Sequence, residues 1–405
     1  MSAVASSSNT EITFGFDELF FSRTDTAGII KYGNDVFQRI SGYAWDELLE
    51  KPHKLIRHAD MPRAVFWLLW DTIKRREPIG AFVKNRARCG RYYWVFAIVT
   101  PIDGGYLSVR LRPSSSILDV VKREYAALAE TEHQQRLSPA DSARLLLARL
   151  PELGFSDYSE FMATALNAEL AARDVELSRC RDLTIGSFNR LMDTAKSLLV
   201  DANRISEAYD ANASVPFNFR VLAAQLGQAG AAIGVIAANY TALSNEMTTV
   251  LTDFIANAQR VSHAINEGAF MAATARVQRE LLAFFNNEDN ACPLPREPEM
   301  VLLDEQQRTY RARASESLRS IAKQVDRFQQ ACSEMSRLTA GLDVTRIMGK
   351  VECSRHVGVK DRLDELLGDL EEFQRTVVGT LKDIERMNHA VHAETVGLIS
   401  LADAA

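Results

Sequence analysis

The stretch RYYWVFAIVTPI (91–102) sets the tightest limit on how this 405-residue chain can fold. In an extended strand, successive side chains point to opposite faces. Tyr92, Trp94, Phe96 and Ile98 then face one way, and Tyr93, Val95, Ala97 and Val99 the other. Both faces are apolar, so the strand belongs in the middle of a sheet that is covered on both sides. Cys89-Gly90 precedes it and Asp103-Gly104-Gly105 follows, both hairpin signals. Its neighbours are therefore the strands AFVKNRARC (81–89) and YLSVRLR (106–112). Helices of the same domain cover one face, and the other calls for a further cover such as a partner helix.

Upstream, ELFFSRT (18–24) and IIKY (29–32) read as two short strands joined by the turn DTAG. Asn34 can cap a short helix, DVFQRIS, which Gly42 ends, and WDELL is another turn or two of helix. A longer helix follows, with Asp60 as its expected N-cap and Pro62 in its first turn, where a missing N–H is harmless. It runs to about Arg75, with Phe66, Leu69, Trp70 and Ile73 on one apolar face. Two strands, short helices, a longer helix and three antiparallel strands give an α+β domain of PAS type, with a five-stranded antiparallel sheet. Such a layout leaves a small-molecule pocket between the sheet and the helices.

Four segments are more specific: GNDVFQRISGY (33–43), KPHKLIRHADMPRAVFWLLW (51–70), EPIGAFVKNRARCGRYYWVFAIVTPI (77–102) and YLSVRLRP (106–113). Together they resemble the flavin-binding PAS domain of aerotaxis receptors, over about residues 15–115. The resemblance implies a domain that binds FAD non-covalently, senses redox state and passes the signal to a chemoreceptor module. It implies pocket residues Asn34, Arg57, His58, Asp60, Trp70 and Asn85, with Tyr93 and Trp94 nearby. The sequence departs from the family where Ile79 stands in place of the tryptophan that usually follows Glu-Pro.

The residues themselves allow that chemistry and also plainer roles. Arg57 offers a planar fork of donors suited to a diphosphate, and could equally pair with Asp60 to fix the loop. His58 can donate to phosphate or flavin and titrates near neutrality. Trp70 is in register with Phe66 and Ile73, so it is either core or pocket wall, whereas Trp67 points to an outer face. The Asn85 amide offers both donor and acceptor to a ring edge, or is a solvated strand residue. His53 reads as a loop residue.

Beyond residue 115 the composition shifts to Ala, Leu, Glu, Arg and Gln, that of long helices. The organisation expected is a sensory domain over 15–115, a helical bundle over 116–285, a proline-bearing linker over 286–300 and a helical, antiparallel coiled-coil hairpin over 301–405 that turns near 356–359. GQAGAAIG, within 215–261, marks a bend in the bundle. IMGKVECSR (347–355) weakly resembles the tip of chemoreceptor signalling domains, with Glu352 and Arg355 as its matching residues.

Net charge is −6, which argues against a nucleic-acid partner, since that would call for a basic face. The five cysteines never fall in a C-x-x-C spacing, which suits reduced thiols in the cytoplasm. The run most like a membrane span, VLAAQLGQAGAAIGVIAA from Val221, is built of small residues and broken by two glutamines. No P-loop, nucleophile elbow or metal-spaced His/Cys set occurs, and His389 and His392 lack an ATP-binding domain after them, so the chain does not read as an enzyme. The expected function is a cytoplasmic redox sensor of homodimeric build, signalling to a chemotaxis kinase and coupling protein or another regulator. The alternative is a cofactor-free PAS dimerisation module of a helical scaffold.

Overall fold

A computed structural model describes residues 10–289, 292–353 and 360–404. Five strands, β1 (Phe20–Asp25), β2 (Ile30–Gly33), β3 (Ile79–Arg86), β4 (Tyr92–Ile102) and β5 (Gly105–Leu111), form one antiparallel sheet in the order β2-β1-β5-β4-β3. Between β2 and β3 lie α1 (Asp35–Ser41), α2 (Trp45–Leu48), a 3-10 turn (His53–Ile56) and α3 (Arg63–Lys74). These elements follow the order and type expected from the sequence for a PAS-type α+β domain.

Helices α4 (Ser116–Gln135), α5 (Pro139–Arg149), α6 (Tyr158–Glu176), α7 (Leu183–Ala211), α8 (Val215–Gln225), α9 (Ala231–Asn287), α10 (Glu297–Cys353) and α11 (Lys360–Ala404) follow. The glycine-rich stretch after α8 is a 3-10 turn, Gly227–Gly230, that separates α8 from α9. The expected hairpin turn at 356–359, and Arg355, lie outside the described residues.

Contacts group the chain into two compact units: residues 1–189 with 266–316, and residues 190–265 with 317–405. The second unit is all helix, with a core that includes Leu198, Phe219, Phe254, Phe328 and Ile384. Phe254 and Phe328 pack ring to ring at 5.1 Å, and Arg190 pairs with Glu394.

The first unit holds the sheet. Strand alternation works as the sequence indicates, and both faces of β4 are buried from Tyr93 to Thr100. No partner helix is needed on the rear face, because the chain's own later helices cover it. Phe161 of α6 lies against Phe82, Tyr125 of α4 against Trp94, and Phe285 of α9 meets Phe21 edge-on at 5.1 Å. A Cβ on Gly80 would come within 3.0 Å of Phe270, so a side chain there would push α9 off the sheet. Arg23 of β1 makes a two-pronged ion pair with Glu299 of α10, Nη2 to Oε1 at 2.6 Å.

Three glutamates from these later helices also finish the ends of earlier ones. A helix start leaves N–H groups without partners, and a carboxylate can accept from them. Glu132 of α4 accepts from the amides of Arg63 and Ala64 at 3.0 and 3.2 Å, so it caps α3, whose N-cap position is Pro62. Asp60, the N-cap expected from sequence, instead pairs with Lys84 at 2.6 Å. Glu169 of α6 accepts from the amides of Ser114 and Ser115 at the start of α4. Glu288, just after α9, accepts from the Val36 amide at 3.2 Å in the first turn of α1. Asn34 stands at the N-cap position of α1, but its side chain turns away from the helix.

Candidate functional site

The other face of the sheet and α3 enclose a cavity of about 280 Å³. That is close to the lower end, roughly 300 Å³, of small-molecule sites. Phe66, Leu69, Trp70 and Ile73, the apolar face read from the sequence, form the α3 wall. The sheet contributes alternate residues of four strands: Thr24, then Val83 and Asn85, then Ala97 and Val99, then Tyr106, Ser108 and Arg110. Gly28, His53, Lys54 and Arg57 close one side. Lys54 is exposed, so this side is the rim. None of the lining residues is acidic, while Lys54, Arg57 and Arg110 are cationic.

Trp70 stands edge-on to Tyr106, with ring centres 5.6 Å apart, and closes the cavity above Gly28. Gly28 has φ +78, and a Cβ there would lie 3.0 Å from the indole, so both backbone and space favour glycine. Asn85 is 3% exposed, and its Nδ2 has no hydrogen-bond partner among the described residues. A buried amide donor without a protein partner costs about 1–3 kcal/mol, so this one is free to meet an acceptor in the cavity. Arg57 lies beside Asn85 through a backbone bridge, and its guanidinium covers the Phe66 ring at 3.6 Å.

Arg110 reaches the cavity from the middle of β5 and is 2% exposed. It donates to Ser22 Oγ at 3.0 Å and to the Ser108 carbonyl at 3.4 Å. Its Nη2 lies 2.6 Å from His53 Nε2. Arginine has only donors, so Nε2 accepts and the ring proton sits on Nδ1. Burial first, and the arginine's charge second, push His53 down to about 3, so it is neutral at physiological pH. Burial pulls Arg110 down to about 10, which still leaves it charged.

Of the eight residues implied by the resemblance, the structure brings Arg57, Trp70 and Asn85 to the cavity. Asn34 lies elsewhere, holding the Leu19 carbonyl, the Phe21 amide and the Glu288 carboxylate. His58 packs on Tyr92, and its Nδ1 accepts from the Asp60 amide at 3.2 Å. Burial chiefly, and then Lys84, lower its pKa. Asp60 is tied to Lys84 rather than to Arg57. Tyr93 is fully buried, its hydroxyl has no partner among the described residues, and its ring touches Phe20. Trp94 is on the rear face of the sheet beside Tyr125. Ile79 is buried at the start of β3 and does not line the cavity. The sequence reading missed His53, Ser108 and Arg110. A signal for the last two exists: in YLSVRLR the apolar residues alternate with Ser and Arg, yet the strand is buried on both faces.

The chain matches the PAS fold family over residues 30–111. It is 37% identical over 143 residues to the aerotaxis receptor of Escherichia coli K12, covering 34% of this chain and 28% of that receptor. It is 33% identical over 81 residues to the nitrogen fixation regulatory protein of Klebsiella pneumoniae, covering 20% of this chain and 16% of that protein. The matches therefore span less than a third of either relative's length. A solved PAS domain from Colwellia psychrerythraea is similar at 14% identity and a TM-score of 0.22, covering 23% of this chain and 85% of that one. The N-terminal region is thus a PAS domain similar to that of a receptor and a regulator, followed by a long helical region. Among the described residues no helix is long and apolar enough to cross a membrane, and no group of three or more His, Cys, Asp or Glu side chains could hold a metal.

Proposed function

We propose that the chain is a redox sensor whose PAS domain binds FAD and whose helices relay the state of that site. The observation that carries this reading is the orphaned Asn85 Nδ2 on the wall of a cavity without a single acidic lining residue. A flavin ring presents carbonyl oxygens along one edge, which an amide donor can meet. Bound FAD supplies reversible uptake of electrons; the rest falls to the residues of the chain. Asn85 orients the ring edge, Trp70 and Tyr106 exclude water from its apolar body, and Arg57 and Lys54 at the rim suit a diphosphate leaving the cavity. The similarity to an aerotaxis receptor and a nitrogen fixation regulatory protein supports a sensory role.

The relay has a physical route. β3 carries Asn85 and Val83 on the cavity face, and Gly80 and Phe82 against α9 and α6 on the other. A displacement of β3 by the ligand would be felt by those helices, and α9 and α10 continue from the first unit into the second. The ligand moves that equilibrium only as far as its affinities for the two arrangements differ. The working form in this reading is a cytoplasmic homodimer that signals to a chemotaxis kinase and its coupling protein or to a comparable regulator. An absorption spectrum of the purified full chain, with and without added FAD, tests the first step. Flavin bands are expected. A colourless protein that takes up no FAD would leave a cofactor-free dimerisation module in its place.

A further inference from the structure

Arg110 is a buried cation that no carboxylate among the described residues neutralises. Its partners are a hydroxyl, a carbonyl and a neutral imidazole, with the rings of Phe20 and Phe37 at 5.4 and 5.5 Å. Buried charges are normally paired, because leaving water costs each ion several kcal/mol. The other buried arginines of the same unit obey that rule: Arg173 pairs with Glu280, and Arg276 with Asp174 and Glu280. Arg110 alone among these three faces a cavity, and that cavity has no acidic wall. His53 holds Nη2 in place without cancelling its charge.

We propose that Arg110 is the specificity-determining residue of the cavity, making it hold a negatively charged ring more tightly than the neutral one. The inference rests on the flavin reading above. Reduction of FAD by two electrons and one proton leaves the ring with a negative charge, so Arg110 favours reduced FAD over oxidised FAD. By linkage the bound reduction potential rises with that preference, a tenfold ratio of affinities being worth about 30 mV for a two-electron couple. Occupancy of the cavity and the redox state of its ligand are then tied together through one residue.

The test is equilibrium binding of FAD to the full chain, in air and after reduction with dithionite, for the wild type, Arg110→Gln and Arg110→Lys, with thermal melts of the ligand-free proteins. Arg110→Gln is expected to lose at least tenfold of the preference for reduced FAD, lowering the bound potential by about 30 mV. Arg110→Lys is expected to keep most of it. Ligand-free Arg110→Gln is expected to melt no lower than the wild type, since no carboxylate is left unpaired. An Arg110→Gln chain that weakens both redox states equally, melts several degrees lower, or fails to fold makes Arg110 a structural residue and overturns the inference. A wild type that binds FAD in neither state overturns the flavin reading itself.

Discussion

At the scale of single residues, the cavity is defined by polar groups that the fold leaves incomplete. Asn85 is the sharpest case. Replacing it with leucine keeps the volume and removes the unpaired donor. The ligand-free Asn85→Leu chain should be as stable as the wild type or more so, while its affinity for FAD should fall by roughly 1–3 kcal/mol, or about 5- to 150-fold. Urea unfolding and FAD titration together check this, and a marked loss of ligand-free stability would show that Asn85 is structural. Part of the site was legible in the sequence. Helical spacing gives the Phe66, Leu69, Trp70 and Ile73 wall directly, and Arg57 and Asn85 lie in the segments that resemble aerotaxis receptors. The meeting of His53 with Arg110 was not legible, because 57 positions separate two side chains that lie 2.6 Å apart. A polar residue on alternate strand positions ordinarily faces solvent, and only the cover on both faces turns Ser108 and Arg110 inward.

At the scale of elements, strands and helices follow their local signals closely. DVFQRIS is α1 from Asp35 to Ser41, and the hairpin turns at Gly90 and Gly104, both with positive φ, set the β3-β4-β5 order. What local sequence cannot show is which distant side chain completes an element. The expected caps Asn34 and Asp60 lie beside their helices, but Glu288 and Glu132 accept from the free amides. Glu132→Ala should therefore destabilise the protein by roughly 0.5–2 kcal/mol, with Glu132→Gln costing less, as read by denaturant unfolding. Glu288 adds a pH dependence. Burial pushes its carboxyl up to about 7, against the pull of Asn34 and the Val36 amide; Asp35 raises it further and Arg296 lowers it. The native state then holds a proton that the unfolded chain releases near its ordinary pKa of about 4.3. Its contribution is fully present below that pH, is lost as pH rises towards 7, and is level above. Glu288→Gln should flatten this part of the stability profile. Denaturant midpoints of the two proteins between pH 5 and 8 check it, and parallel profiles would refute it.

At the scale of the whole molecule, the PAS domain does not end where its sequence pattern ends. The composition change near residue 115 is plain, but the rear of the sheet is finished by Phe161, Phe270, Phe285 and Glu299. Residues 15–115 alone would leave Phe82, Phe96, Ile98, Leu107 and Val109 uncovered, and such a fragment should form heterogeneous aggregates larger than any discrete species of the full chain. Light scattering after size exclusion checks this; a monodisperse fragment would show that the helices are dispensable to the sheet. Sequence reading anticipated that both faces need a cover and could not tell that it comes from the same chain, because Arg23 and Glu299 are 276 positions apart. That separation has a consequence during synthesis. Ribosomes add about 5–20 residues per second. The sheet would therefore leave the ribosome on the order of 10–40 s before residues 266–316 arrive to cover it. Through that interval its rear face is a greasy surface in need of a chaperone, and a nonsense mutation anywhere before residue 266 would cost the cell the sensor along with the relay.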